Sequence, residues 1–596
     1  MDVDNDPPNH STHTPPTSDQ KVAVKSKVGK LDFEDANFAD SPRSEECSLI
    51  LTQGFYATHF ARSVLSVLGK DKYAVFPLKG PKRLLNNATI KKIIKILGLQ
   101  LGKHYQDVKE LRYGHLMFMV TQGDHDGSHI IGLLINFLYH HFPALLKVKK
   151  FMRMFITPMV TAVHKKTNAV LSFNTLSEFD DWREELGFKT TEYCYEGEIP
   201  EESKYFFADF DQHIKDFYWF DFMDDYAIKY AFGTSIDARN HYWKETDINY
   251  FGRRPQAGTD VDSEDKSIRY LDFFNKEFMQ YLEADRQRSI PSIVDGLTLS
   301  QRKIISRAFK MPITQEIDVG QFSAYVSQHS PYDHGEGSLV STIIGMGQNY
   351  VGSNNINLLQ PIGVFGTRLR GGKDHDARGS YLSTQLSPIT RYLFHKDDEL
   401  IFKYLRDDGQ SVELAWFIPI IPMVLVNGSK RSGTECSSFI PNYNPRDIIA
   451  NLIRLLEGRK VLPMDPWYKG FNGKIKKKTS NEFTTEGLIE KGKNGSTITV
   501  TELPVGMWTE NYEELLKAAS RCGDDIKAYK DYSDYCNPDK VHFEITMAYQ
   551  MKSAKQEEWF LNEFKLKTTL STFNMYLLDE DGLLKKYTTP EESKYP

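Results

Sequence analysis

The chain has 596 residues, a formal net charge of −6 and a hydrophobic content of 40%. This length predicts several hydrophobic cores in about three or four domains. The net charge excludes a uniformly basic nucleic-acid-binding protein, so any such binding needs local basic patches. Five cysteines without CxxC spacing indicate reduced thiols and exclude a zinc site or a disulfide framework. No run of about 18 apolar residues occurs, so no membrane span is predicted.

The first ordered elements predict a mostly parallel α/β sheet. Residues 1 to about 44 are polar and Pro-rich, and this composition predicts disorder. The apolar run Cys47–Thr52 predicts a buried strand, and helical spacing follows over Ala57–Leu68. The same pattern recurs as Leu116–Thr121 and Ile130–Tyr139. Alternating strands and helices form parallel sheets, which bind ligands at the carboxyl ends of their strands. We therefore expect the turns after the two strands to meet at one edge.

The second of these turns, Asp124-His-Asp-Gly-Ser-His129, contains two carboxylates. Side chains two residues apart in extended backbone share one side, so Asp124 and Asp126 could hold a hard cation. A calcium EF-hand is excluded, because His129 stands where that loop needs glycine. Mg²⁺ fits better, since it keeps most of its waters and takes one or two carboxylates. The alternative is a turn that only caps a helix starting near Ser128.

The rest of the chain predicts a connector followed by helical and α+β regions. Residues 175–265 are rich in aromatic and acidic residues and are interpreted as a helical connector with loops. Helical stretches are expected to about residue 310, then a strand at Ile418–Val426 that runs into a loop over 427–433. From about residue 460, strand-like pieces such as Ser496–Leu503 alternate with Lys-rich turns such as Lys474–Lys478. No Walker-type GxxxxGK[ST] motif occurs, so no ATP site is predicted.

The most informative segment is Gly366-Thr-Arg-Leu-Arg-Gly-Gly-Lys-Asp-His-Asp-Ala-Arg-Gly-Ser-Tyr381. Its cations can neutralise phosphates, and its glycines allow a backbone to approach a ligand closely. A phenol held among such cations can attack phosphorus, because the same cations stabilise the developing charge. That chemistry would cut a nucleic-acid backbone while one end stays attached to Tyr381. The alternative is a basic surface loop followed by an ordinary strand tyrosine.

Several further motifs accompany the acidic turn and this segment. They are Ile290-Pro-Ser-Ile-Val-Asp-Gly-Leu297 with Gln301-Arg-Lys303, Tyr332-Asp-His-Gly-Glu336, Asn349-Tyr-Val-Gly-Ser-Asn-Asn355, Leu359-Gln-Pro-Ile-Gly-Val-Phe-Gly-Thr-Arg368 and Phe417-Ile-Pro-Ile-Ile-Pro-Met423. With these motifs the chain resembles the breakage–reunion core of eukaryotic type II DNA topoisomerases from about residue 31 to residue 587. The fold class that the resemblance implies is multidomain α/β and α+β: a TOPRIM domain with a Rossmann-like parallel sheet, then a winged-helix domain and a tower domain.

The resemblance implies a domain division and a set of site residues. The expected division is a tail at 1–44, TOPRIM at 45–165, a connector at 166–267, a winged-helix DNA gate at 268–445 and a tower at 446–596. Tyr381 is the implied nucleophile that forms a 5′-phosphotyrosyl link, with His334 and Arg378 beside it. Mg²⁺ is the implied cofactor at Asp124, Asp126 and Gln53. The implied DNA-binding residues are Arg302, Lys303, Arg368, Arg370, Lys373, Lys430 and Arg431.

The chain departs from the family pattern at positions that the resemblance implies for metal binding. Gln53, Phe55 and Gln122 replace carboxylates that usually surround the magnesium, and Gln53 can offer only a neutral oxygen. Losing a general acid or base costs about 10²–10⁴-fold in rate.

Departures also surround the tyrosine and the DNA surface. Ser380 stands where the family has arginine immediately before the tyrosine, and Asp333 replaces one of two paired histidines. Asp318 reverses a charge on a surface expected to face DNA. Ser432 replaces an isoleucine wedge between base steps, while Lys430 and Arg431 beside it add phosphate affinity.

Two functions from different classes follow from these observations. The first is a DNA-binding, non-catalytic or impaired relative that acts in DNA topology and chromosome segregation. The second is an active cleavage–religation enzyme that uses Tyr381. The sequence starts at TOPRIM and stops before the coiled coil, so we expect no autonomous ATP-dependent strand passage. The expected partners are double-stranded DNA or chromatin and a dimer, either with itself or with a full-length type II topoisomerase, in the nucleus.

Overall fold

The protein is described by a computed structural model. It describes residues 33–53, 55–78, 87–120, 126–156, 160–167, 170–173, 182–183, 186, 192–197, 210–233, 267–311, 315–330, 332, 335–375, 382–400, 404–407, 410–433, 437–522, 525–532 and 540–592. The chain divides into two compact units, Met1–Ala231 with Trp243–Glu277 and Phe232–Tyr242 with Phe278–Pro596. In the part of the chain that the structure describes, no helix is both long and apolar enough to cross a membrane.

The first unit is built on a six-stranded, mostly parallel sheet. The described strands of this unit are β1 (Ser48–Gln53), β2 (Tyr73–Leu78), β3 (His115–Val120), β4 (Met152–Phe155), β5 (Val160–His164), β6 (Val170–Phe173), β7 (Tyr193–Gly197), β8 (Ile214–Tyr218) and β9 (Ser267–Arg269). The main sheet has the order β2-β1-β3-β4-β8-β9, and only the β4–β8 pair is antiparallel. The remaining strands form a small antiparallel sheet, β6-β5-β7.

Helices follow the central strands as the sequence predicts. The described helices of this unit are α1 (Phe55–Leu68), α2 (Asn87–Leu97), α3 (Asp126–His141), α4 (Phe222–Ala231) and α5 (Tyr270–Phe273), with a π-helical turn at Phe274–Phe278. Every residue of β1 is buried, as expected for an interior strand covered on both faces of a parallel sheet. The predicted strand–helix units at 47–68 and 116–139 are therefore confirmed.

The region 175–265 was predicted as a helical connector with loops, and its described part contains the helix α4 together with two strands that were not predicted. β7 belongs to the small sheet, and β8 is a strand of the main sheet beside β4. Arg153 on β4 and Asp216 on β8 are register partners and form a salt bridge of 3.0 Å. The segment Ile214–Tyr218 does not alternate strictly between apolar and polar residues, so periodicity alone did not indicate this strand.

The second unit begins with helices packed on a three-stranded sheet. The described helices of this unit are α6 (Met279–Ser289), α7 (Leu299–Lys310), α8 (Val319–His329), α9 (Glu336–Gly347), α10 (Thr390–Leu393), α11 (Met423–Asn427), α12 (Pro445–Leu456), α13 (Thr509–Cys522) and α14 (Ala554–Glu563). The sheet has the order β10-β12-β11, with β10 at Ile317–Asp318, β11 at Leu359–Ile362 and β12 at Ser383–Leu386. A shared core of buried aliphatic and aromatic residues from α7, α8 and α9 joins these elements.

An α+β arrangement completes the second unit and confirms the mixed fold class. Its described strands are β13 (Tyr404–Asp407), β14 (Gln410–Leu414), β15 (Ser429–Ser432), β16 (Ser437–Ile440), β17 (Lys474–Lys477), β18 (Glu482–Glu486), β19 (Leu488–Lys491), β20 (Thr497–Glu502), β21 (Ile526–Asp531), β22 (Phe543–Met547), β23 (Lys567–Ser571), β24 (Met575–Leu578) and β25 (Leu584–Tyr587). The largest sheet is β19-β20-β22-β21, and a second core packs α13 and α14 against it.

Three local predictions in the second unit are wrong. The segment Ile418–Val426 is no strand: after Pro422 the chain forms the short helix α11. The predicted loop over 427–433 contains β15, which pairs with β16 in a hairpin. The predicted Lys-rich turn at 474–478 is mainly the strand β17, paired with β18. A short apolar run suits a buried helix as well as a buried strand, so periodicity cannot separate them.

Candidate functional site

The first candidate site lies at the carboxyl edge of the parallel sheet. β1 ends at Gln53 and β3 ends at Val120, and these two residues are register partners. The chain passes from β1 to β2 on one side of β1 and later reaches β3 on the other side. The ends of β1 and β3 therefore form the switch point at which such sheets bind ligands. α1 begins at Phe55 and α3 at Asp126, so the strand ends that precede both predicted turns lie at this edge, while residues 54 and 121–125 lie outside the described residues.

Gln53 supplies the one described side chain of the predicted metal set. It is only 8% exposed, and its Oε1 is buried without a hydrogen-bond partner within the described residues. A buried carbonyl oxygen without a donor is costly, because it has lost its water. Such an oxygen fits a cation-binding role at this edge, since Mg²⁺ takes oxygen ligands. Asp124 and the side chain of Asp126 lie outside the described residues.

The second candidate site is the start of β12. Tyr381, Arg378 and His334 lie outside the described residues, whereas Leu382, which follows Tyr381, is described. Leu382 is 2% exposed, and its carbonyl accepts a hydrogen bond of 2.8 Å from the N–H of Val319. β12 is the central strand of its sheet. The residue that precedes Leu382 is therefore bonded to a buried residue, which stands directly before the central strand of this sheet.

The described part of the glycine-rich segment, residues 366–375, is a folded loop, which we call the glycine loop. Gly366 has a φ of +98°, and a Cβ there would lie 2.5 Å from the carbonyl oxygen of Gly372. The N–H of Gly372 donates to the carbonyl of Thr367 at 2.8 Å, and the N–H of Thr367 donates to Asp374 at 2.8 Å. These contacts require glycine at both positions, as the composition suggested.

Tyr350 lies beside the glycine loop and stays protonated. Burial raises the pKa of its hydroxyl to about 12, and the nearby Asp374 contributes to this rise. A Cβ on Gly372 would lie 2.6 Å from this hydroxyl. A second tyrosine next to the loop is thus a neutral structural group and does not compete as a phenolate.

Three of the predicted DNA-binding cations are buried or bonded to a buried acid, and their DNA-binding role stays a prediction. Arg368 is 2% exposed and forms an ion pair with the equally buried Glu502. Arg302 donates two hydrogen bonds to Asp295, at 2.6 and 3.1 Å, and Asp295 is fully buried. Lys303 is 6% exposed. Arginine and lysine in a motif give the charge, but only packing decides whether that charge reaches the surface.

The other predicted cations are exposed and stay candidates for phosphate contact. Lys430 and Arg431 lie on β15 of the hairpin, and Lys373 lies on the glycine loop. Arg370 is also exposed, but its Nε donates to the carboxylate of Glu510 at 2.6 Å. Exposed cations of this kind can neutralise phosphates.

Asp318, predicted as a reversed charge, has a clear structural role. It is the N-cap of α8, and its carboxylate accepts a hydrogen bond of 3.0 Å from the N–H of Gln321. A carboxylate is favoured there for two reasons. It accepts from a helix N–H that has no partner within the helix, and its negative charge interacts favourably with the positive end of the helix dipole.

Sequence reasoning missed the acidic partners of the arginines. Glu502 lies 134 residues from Arg368 and Glu510 lies 140 residues from Arg370. No local pattern joins residues so far apart. Asp295 could have been noticed, since it stands seven residues before Arg302 inside a quoted motif.

The comparisons with known proteins agree with this architecture. A family model for DNA gyrase/topoisomerase IV matches residues 288–593, slightly more than half of the chain. The model of the C-terminal associated domain of TOPRIM matches residues 155–286. The chain belongs to the type II DNA topoisomerase family that the first model defines.

Within that family the chain is similar to eukaryotic topoisomerases. It is 44% identical to the DNA topoisomerase 2 of Arabidopsis thaliana, over 96% of this chain and 40% of the relative. It is 43% identical to the DNA topoisomerase 2-alpha of Cricetulus griseus, over 94% of this chain and 38% of the relative. The chain thus spans about two fifths of the length of these curated relatives.

A solved structure also matches. The topoisomerase II DNA-binding, cleavage and re-ligation domain of Plasmodium falciparum is similar with a TM-score of 0.71 and 39% identity, over 95% of this chain and 77% of that chain. This match supports the mixed α/β and α+β fold class with a TOPRIM-type parallel sheet.

Proposed function

We propose that the chain is a DNA-binding topoisomerase core in which Tyr381 performs a slow, reversible transesterification. The phenolic oxygen attacks a backbone phosphorus, a phosphotyrosyl bond forms, and the bond from phosphorus to the 3′ oxygen breaks. The phenolic proton passes to a base, for which His334 is the candidate, and the 3′ oxygen leaves as a hydroxyl after taking up a proton. The attack of this hydroxyl on the phosphotyrosine reverses the reaction.

The observation that carries this proposal is the anchoring on both sides of residues 376–381. The glycine loop ends at His375 and is held by its own hydrogen bonds. On the other side, Leu382 is buried at the start of the central strand of a sheet. A nucleophile must be held close to its attack geometry, and two fixed ends provide such a constraint. Membership of the type II topoisomerase family supports transesterification as the reaction of the tyrosine between these two ends.

The proposed reaction also includes a Mg²⁺ ion. Gln53, Asp124 and Asp126 are the residues that would hold Mg²⁺. The ion would supply Lewis-acid stabilisation of the charge that develops on the phosphate. Gln53 contributes a neutral oxygen in place of a carboxylate, so its share of the attraction for a dication is weaker. We expect reduced metal affinity and a reduced cleavage rate for this reason.

Exposed cations supply the DNA contact in this proposal. Lys373, Lys430 and Arg431 are surface residues of the second unit, and duplex DNA is their proposed ligand. We assign the chain to a dimer, with a second copy or with a full-length type II topoisomerase, that acts on DNA topology during chromosome segregation in the nucleus.

The proposal predicts a tyrosine-dependent covalent adduct. Purified chain is incubated with supercoiled plasmid and Mg²⁺, stopped with detergent, and assayed for DNA-linked protein. Wild type should form adduct, and Tyr381→Phe should form none while its DNA affinity stays within about twofold, because only the nucleophilic oxygen is lost. Tyr350→Phe is the matched control, since that buried hydroxyl lies beside the loop but outside the proposed chemistry.

One observation favours a second candidate function, a non-catalytic DNA-binding relative. Gln53 is a neutral amide at the carboxyl end of β1, where the resemblance implies a carboxylate. If wild type binds DNA but yields no more adduct than Tyr381→Phe, catalysis is ruled out and this second function stands.

A further inference from the structure

The glycine loop is held from outside by a segment of the α+β part of the second unit. This segment, residues 502–510, connects the end of β20 to the start of α13, and we call it the buttress. The N–H of Glu510 donates to the carbonyl of Leu369 at 3.1 Å. The Arg368 guanidinium donates to the carboxylate of Glu502 and to the carbonyl of Leu503, the latter at 3.0 Å. The loop and the buttress therefore share both backbone and side-chain bonds.

The ion pair at the inner end of this contact is fully enclosed. Arg368 and Glu502 are each 2% exposed. The second carboxylate oxygen of Glu502 accepts from the N–H of Asn472 at 3.1 Å. A buried carboxylate with this many donors keeps one orientation, because any rotation would leave a buried charge without a partner. The guanidinium of Arg368 is therefore held by the α+β core and does not face solvent.

Trp508 packs between the two ion pairs of the contact between the glycine loop and the buttress. A Cβ on Gly371 would lie 2.2 Å from Cε2 of Trp508, so the indole lies directly on the glycine backbone. The same indole packs edge-on against Tyr350, with ring centroids 5.8 Å apart. Only glycine at position 371 allows this approach. The outer end of the contact is the exposed Arg370–Glu510 pair.

We propose that Glu502, Trp508 and Glu510 of the buttress are positioning residues for Tyr381, acting through Arg368, Gly371 and Arg370 of the glycine loop. The inference rests on the proposed function of Tyr381. Only residues 376–381 separate the loop from the buried Leu382. Since Leu382 is buried directly before β12, we expect the position of the loop to influence where the phenol can reach. A displacement of about 1 Å costs roughly 100-fold in rate when groups must be aligned for attack.

The main test compares two tryptophan truncations. Trp508→Ala should lower the single-turnover rate of adduct formation on end-labelled duplex DNA with Mg²⁺ by about 10–100-fold, with DNA affinity within about threefold of wild type. Trp559→Ala on α14 is the matched control, since Trp559 packs against Tyr549 and Phe564 and is not part of the buttress. It should react at the wild-type rate.

A charge swap separates positioning from phosphate contact. If Arg370 serves the buttress, Arg370→Glu and Glu510→Arg should each slow adduct formation, and the double variant should recover the wild-type rate. If Arg370 contacts phosphate, the double variant should stay weak in DNA binding, and this result would overturn the assignment of Arg370.

Hydrogen exchange tests the contact between the glycine loop and the buttress independently of activity. Hydrogen exchange of the amides of residues 366–375 should rise at least about tenfold in Trp508→Ala and stay unchanged in Trp559→Ala. Unchanged exchange in Trp508→Ala overturns the inference. Faster exchange with a wild-type adduct rate also overturns it. Absence of any adduct in the wild-type protein contradicts the proposed function instead, so the two failures are distinguishable.

Discussion

At the scale of single residues, we expect Gln53 to set how strongly the carboxyl edge of the sheet binds a cation. Its Oε1 is buried without a partner in the described residues. Such an oxygen costs about 1–3 kcal/mol when nothing donates to it. A carboxylate at the same place would bind a dication more strongly but would be costlier without one, because burying an unpaired charge is more unfavourable than burying an amide.

This reasoning predicts opposite effects of Gln53→Glu with and without metal. In EDTA the variant should unfold at a lower temperature than wild type, by about 2–4 °C for each kcal/mol lost. Added Mg²⁺ should raise its Tm more than it raises that of wild type, because ligand binding stabilises the folded state by mass action. Thermal unfolding with and without Mg²⁺ measures both.

The exposed Gln100 offers a matched control. Gln100→Glu adds the same charge to the same unit but should show no extra response to Mg²⁺. Equal Mg²⁺ responses of the two variants would mean that the carboxyl edge of the sheet is no metal site.

At the scale of elements, a helix cap explains an acid on a surface that was expected to be basic. Asp318 starts α8 by accepting the N–H of Gln321. Its carboxylate therefore stabilises local structure whether or not DNA lies nearby. The cost of the charge for DNA binding and the gain for the helix can be measured separately, because asparagine caps a helix without a charge.

We expect Asp318→Ala to lower the free energy of unfolding by about 0.5–2 kcal/mol and Asp318→Asn to change it by less than about 0.5 kcal/mol. Both variants should bind duplex DNA a few-fold more tightly if the start of α8 faces the phosphates. Urea unfolding and a DNA titration give the two quantities. Asp581→Ala removes an exposed acid elsewhere in the unit and should change neither. Unchanged DNA affinity in both Asp318 variants would place the start of α8 away from DNA.

At the scale of the whole molecule, the proposed DNA binding by a chain of net charge −6 requires a limited set of exposed cations. Lys303 and Arg368 are buried and Arg302 is bonded to the buried Asp295, so we expect these three to contribute less than exposed cations. The exposed Lys373, Lys430 and Arg431 stay in it. Affinity should therefore depend on a few phosphate contacts and fall steeply with salt.

Each of Lys373→Ala, Lys430→Ala and Arg431→Ala should reduce the slope of log K against log salt by about one. Titrations of one duplex at several salt concentrations measure this slope. Lys109→Ala, an exposed lysine of the first unit, should leave it unchanged. An equal loss in Lys109→Ala would show a diffuse electrostatic attraction and no defined surface.

The sequence by itself determined the elements whose signals are local. Short apolar runs predicted β1 and β3, helical spacing predicted α1 and α3, and the parallel arrangement followed from their alternation. It also predicted that the ends of β1 and β3 lie at one sheet edge, because parallel strands end on the same side. The family motifs indicated the class of protein. The positions of Tyr381, His334, Arg378 and Asp124 stay predictions outside the described residues.

Only the tertiary structure decided which charges are on the surface and what holds the glycine loop. Arg368 and Arg370 look alike in sequence, two residues apart, yet one is buried on Glu502 and the other lies exposed beside Glu510. The helix α11 and the β15–β16 hairpin were likewise decided by packing, since short apolar or polar runs suit more than one element. For the two arginines the physical reason is that the deciding acid stands far away in sequence, so desolvation and pairing enter only when the chain has folded.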